Sequence, residues 1–100
     1  MLRFIAIIIG VVCLAGCSSA PVQEMSDARQ AIAAARVAGA SESTSSEFYA
    51  AQAAINRAEH HIEAQEYTRA RLAAMEAKHH AGVALLNAQH ADSSASTPVF

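Results

Sequence analysis

The chain is 100 residues long, carries 7 Lys and Arg against 9 Asp and Glu for a formal net charge of −2, and has room for one domain at most. Charges this close to balance leave no basic field to draw nucleic acid, which is excluded as a partner. Its cysteines, Cys13 and Cys17, both lie near the start, so the remainder of the chain folds without a disulfide.

The first segment has the parts of a secretory signal: basic Arg3, an apolar run from Phe4 to Leu14, and small residues before a cut. A membrane-spanning helix needs roughly 20 apolar residues, and Gly16, Ser18 and Ser19 close this run too early. Leu14-Ala15-Gly16-Cys17 has the form of a lipobox. Lipidation needs a thiol nucleophile that ends as a thioether to diacylglycerol, and the peptidase that follows needs small residues at Ala15 and Gly16 to seat the backbone. Residues 1–16 therefore read as a lipoprotein signal peptide, Cys17 as the lipidated first residue of the mature chain, and residues 17–20 as anchor and linker. Ser18 stands where an aspartate would be the inner-membrane retention signal, so export to the outer membrane is expected.

From Pro21 the periodicity becomes helical, with Val22, Met25, Ala28, Ile32 and Ala35 along one face and Arg29, Gln30 and Arg36 off it. Pro21 suits the first turn and Gly39 the stop. Ala40 to Ser46 is too polar to pack and reads as a loop. Thr44 and Glu47 have capping-box spacing, which predicts the start of a second helix there.

The second helix carries Phe48, Ala51, Ile55, Ala58 and Ile62, and an alanine seam follows at Tyr67, Ala70, Ala74, Ala77, Ala81, Ala84 and Ala88. Between them Ala64-Gln65-Glu66 holds no glycine or proline, so phase has to decide between one long helix and two. Continuing the second seam would bring Arg69, Glu76 and His79 into the buried stripe beside Leu72, whereas the alanine seam restarts out of register at Tyr67. A hairpin turning near Gln65 is the favoured reading. The predicted fold is all-α: a short first helix, then an antiparallel alanine-rich hairpin, together over residues 21–90, with residues 91–100 as a disordered tail. Leu72, Met75, Val83, Leu85 and Leu86 fall outside the alanine stripe, and cover by the first helix is expected.

His60, His61, His79, His80 and His90 raise the question of a metal site. Adjacent helical residues point about 100° apart, so neither histidine pair chelates on its own. In a hairpin turning near Gln65, His79 lies roughly 12 Å beyond the level of His60 at 1.5 Å per residue, which keeps the pairs apart within one chain. Solvated histidines paired with Glu63 and Glu76 are the expected arrangement. No catalytic constellation stands out: the serines lack a glycine elbow, the histidines lack a nucleophile, and Glu59, Glu63 and Glu66 read as a solvated face. Neither an enzyme nor a cofactor nor a small-molecule substrate is expected.

Gly39-Ala40, the run from Ala51 to Ala58, and Tyr67-Thr68-Arg69-Ala70 with Ala74 and Ala77 resemble the small bacterial lipoproteins of the domain-of-unknown-function 4398 family. In that family a lipobox precedes a short helix and a hairpin whose second arm opens on an aromatic and repeats alanine. The turn here, Gln65-Glu66-Tyr67, departs from the family's glycine-acid-tyrosine form. The resemblance implies an envelope lipoprotein, sometimes linked in longer relatives to peptidoglycan-binding domains, and it supplies no catalytic residues.

The function these features predict is a non-catalytic outer-membrane lipoprotein, held through acyl chains on Cys17. Its periplasmic helical module would meet an envelope protein or a second copy of itself. The alternative is a periplasmic metal-binding protein that uses His60, His61, His79 and His80 across a dimer.

Overall fold

The structure, a computed structural model, describes residues 20–96, with side chains described for residues 20–91. The signal peptide, the lipobox with Cys17, Ser18, and residues 97–100 lie outside the described residues. Among the described residues three helices form: α1 (Val22–Val37), α2 (Ser46–Glu63) and α3 (Tyr67–Ser96).

The helix α1 starts where the Pro21 carbonyl accepts the Met25 amide at 3.0 Å. Glu24 in its first turn and Arg36 in its last complement the helix dipole. Its end is a Schellman motif: the Ala40 amide donates to Ala35 and the Gly39 amide to Arg36, both at 3.0 Å, with Gly39 at φ 108°. Ala40 is buried as it leaves this turn, so the stop also sets where the loop packs.

The start of α2 differs from expectation by one residue. Ser45, not Thr44, is the N-cap, in an extended conformation with its hydroxyl accepting the Phe48 amide at 3.1 Å. The Thr44 hydroxyl is already engaged with Ser41 Oγ at 2.8 Å, inside a serine turn closed by the Ser45 amide on the Ser41 carbonyl. Glu47 is thereby released from a capping box and reaches across to α3.

A second Schellman motif ends α2, with the Glu66 amide on His61 at 2.8 Å and the Gln65 amide on Ile62 at 2.9 Å. Gln65 takes the left-handed conformation, φ 60°, that a glycine more often fills. The hairpin expected from seam phase is present, and α2 runs back along α3. Helix α3 is 30 residues long and continues to Ser96, past the point at which a tail was expected from residue 91. Asp92 to Ser96 contains weak helix formers but no glycine or proline, and the first proline ahead is Pro98.

The interhelical ion pairs fix directions. Glu24 with Arg71 and Asp27 with Lys78 rise together, so α1 is parallel to α3. Arg57 with Glu76 and Glu47 with His80 run oppositely, so α2 is antiparallel to α3. Both α1 and α2 lie against α3 and touch each other least.

The interior is almost entirely methyl groups. Ala28, Ala35, Ala51, Ala54, Ala58, Ala74, Ala77 and Ala81 are fully buried, with Met25, Ile32, Phe48 and Ile55 as the larger members. Small side chains bring helices toward the close end of the usual 8–10 Å or so, while each buried methyl contributes only about 0.8 kcal/mol. The seams read from the sequence are the ones buried, except that Val22 is exposed and Tyr67, Ile62 and Ala88 are half-buried at the ends. Cover of the third helix's other apolar side by α1 is corrected: Leu72, Met75 and Leu86 are 62%, 55% and 56% exposed. Helix α1 lies instead on the alanine side, where methyls permit close approach, and only Leu85 is drawn against the core.

Candidate functional site

The ionisable side chains form a rim around the alanine interior, and none of those described is buried. At the turn end, His60 approaches Glu63 at 3.9 Å, one turn apart as expected, but both are largely exposed. His61 Nδ1 lies 3.3 Å from Glu66 Oε1, and Arg69 donates to the other Glu66 oxygen at 3.3 Å, so this carboxylate ties the end of α2 to the start of α3.

Farther along, His80 is half-buried between two carboxylates, with Nδ1 2.6 Å from Glu47 Oε2 and Nε2 3.8 Å from Glu76 Oε1. The Glu76 pairing has the helical spacing anticipated, whereas the shorter Glu47 contact crosses between helices. Arg57 donates from both terminal nitrogens to Glu76 at 3.3 and 3.2 Å. These hydrogen bonds hold the Glu76 carboxyl below the usual carboxylate range, against a smaller upward push from desolvation, with the charges of Arg57 and His80 acting in the same downward direction.

His79 turns the other way, onto the outer face of α3, its ring 5.6 Å from that of His80. The two histidine pairs therefore stay separate, His60 and His61 in the last turn of α2 and His79 and His80 more than three turns into α3. Among the described residues no three His, Cys, Asp or Glu side chains are grouped to hold a metal ion.

An open groove runs along α3, lined by Met75, His79, Gly82, Val83 and Leu86, with Glu24 and Asp27 of α1 at its rim. Its apolar side chains were visible in the sequence as positions outside the alanine stripe. Their exposure was not, because it depends on where α1 lies. On the α1–α2 face, Arg29 meets Glu59 at 3.3 Å and the Arg36 guanidinium sits 5.5 Å from the Phe48 ring centre. Among the described residues no helix is long and apolar enough to cross a membrane.

No curated protein and no solved structure matches the chain. A family model described as a domain of unknown function, DUF4398, matches residues 23–97, from the first turn of α1 through the whole of α3, and the chain belongs to that family.

Proposed function

We propose that this is a non-catalytic lipoprotein of the outer membrane, anchored by acyl chains on Cys17, whose three-helix domain serves as a periplasmic structural or protein-interaction module. The observation that carries this reading is Leu14-Ala15-Gly16-Cys17 closing an apolar segment directly ahead of a domain that begins at Pro21. Acyl chains add about 0.8 kcal/mol per buried methylene, and more than one chain gives an anchorage that a single myristoyl group does not. The groove on α3 supports an interaction role, since it gathers Met75, Val83 and Leu86 into one open apolar surface with Met75 and Leu86 exposed.

Mass spectrometry of the mature protein, with membrane fractionation, tests the reading. A mature chain that starts at acylated Cys17 and sediments with outer membranes is the expected result, with Cys17→Ser remaining unprocessed and Ser18→Asp moving to the inner membrane. An unmodified Cys17, or wild-type protein in the soluble fraction, overturns it.

A further inference from the structure

Helix α3 carries a second row of side chains: Leu72, Met75, His79, Gly82 and Leu86, spaced three, four, three and four. At about 100° per residue this row stands on the opposite side of the helix from Ala77, with Glu24 and Asp27 of α1 along one edge. The spacing is that of a and d positions in a coiled coil.

Gly82 sharpens the point. Glycine inside a helix costs about 1 kcal/mol relative to alanine. A Cβ there would meet nothing within 4 Å, so among the described residues no neighbour in its own chain requires its absence. What a mid-helix glycine permits is the close approach of another backbone.

We propose that this row docks a second copy of the same chain, parallel and in register, with the two α3 helices closest at Gly82. The inference rests on the lipoprotein reading. Cys17 and Pro21 are four residues apart, which at about 3.5 Å per residue keeps the turn end of every copy within roughly 14 Å of its anchor. Copies in one leaflet then stand side by side in the same direction, and equal heights bring the rows into register.

The edges of the row agree with that orientation. In a parallel pair each edge faces the opposite edge of the other copy, and Arg71 falls beside its neighbour's Glu76, five residues on, a carboxylate that also accepts from Arg57 of its own chain. Arg71 donates to Glu24 of its own chain through Nε–H, at 3.1 Å, and among the described residues its terminal nitrogens make no hydrogen bond, which leaves them for a second carboxylate. A stable soluble interface sets roughly 20–30 residues a side against its partner, so a row of this length leaves association dependent on concentration in the membrane.

Disulfide trapping in membranes tests this, with the full chain made in cells and Leu72→Cys or Leu86→Cys introduced singly. Both positions are exposed, and Cys17 is consumed by its thioether. Mild oxidation should convert each variant to a disulfide homodimer, while Asn56→Cys on α2 stays monomeric and Met75→Glu added to Leu86→Cys abolishes the dimer. Circular dichroism matching wild type confirms the fold. An antiparallel pair cannot trap both positions, so failure of either with membrane association retained overturns the proposal alone. A mixed disulfide with a different protein also overturns it. Wild-type protein found soluble and unacylated overturns the lipoprotein reading and the tethered dimer together.

Discussion

Gly39 and Gln65 occupy the same place in two successive helix stops, one residue past the C-cap, and both hold a left-handed backbone, at φ 108° and 60°. Only one of them is a glycine. A non-glycine residue in this region costs of order 1 kcal/mol. Gln65→Gly is therefore expected to stabilise the domain by about 0.5–1 kcal/mol, net of the added freedom of the unfolded chain, and Gly39→Ala to destabilise it by about 1 kcal/mol or more. Thermal melts should show shifts of opposite sign, each of several degrees. A lowered melting temperature for Gln65→Gly would contradict the strain assigned to the turn.

The alanines of α3 should matter more than its leucines. Ala77 is fully buried, so Ala77→Leu forces α1 and α2 away from α3 and should cost about 1–3 kcal/mol, broadening the melt while helical signal persists. Leu72→Ala, at an exposed site, should change monomer stability by less than about 0.5 kcal/mol. The reverse ranking in denaturant titrations would mean that the outer face is covered within the chain.

The cap of α2 gives a direct comparison of neighbours. Ser45→Ala removes the hydroxyl that accepts the Phe48 amide and should cost about 0.5–2 kcal/mol, while Thr44→Ala loses only contacts within the serine turn and should cost less. Equal losses in urea unfolding would restore Thr44 as a cap.

Glu76 makes stability depend on acid. Its folded pKa is depressed, so its contribution is complete above the ordinary value of 4.5 and is lost as pH falls through the lower folded value. The group is solvent-screened, which limits the effect to the range of about 0.2–1 kcal/mol typical of exposed pairs. Glu76→Gln should melt below wild type at pH 7, with the difference closing below pH 4.5. A difference unchanged by acid would assign the loss to packing instead of charge.

Periodicity made the core legible because alanine and isoleucine recur on one face at helical spacing, and the phase break at Tyr67 located the hairpin although Gln65 is no turn former. Three other features depended on information that spacing does not hold. Thr44 and Ser45 are chemically equivalent as caps, and the choice turned on the bond from Thr44 to Ser41. The pairing of His80 with Glu47 depends on interhelical register, invisible in either helix alone. Leu72 and Leu86 looked suited to burial, but α1 had only one side of α3 on which methyls allow close contact.

An interior of repeating methyl groups has little shape of its own. Sliding α3 by a heptad would replace Ala70, Ala74 and Ala77 with Ala77, Ala81 and Ala84, and the buried surface would change hardly at all. What resists such slippage is at the boundary: the tight stop at Gln65, and the cross-helix pairs that Glu24, Glu47 and Arg57 make with Arg71, His80 and Glu76. Exposed pairs of this kind add little to the depth of the native well, yet they select which of several nearly equivalent alignments is native. Removing them together should leave a helical protein that no longer holds a single alignment.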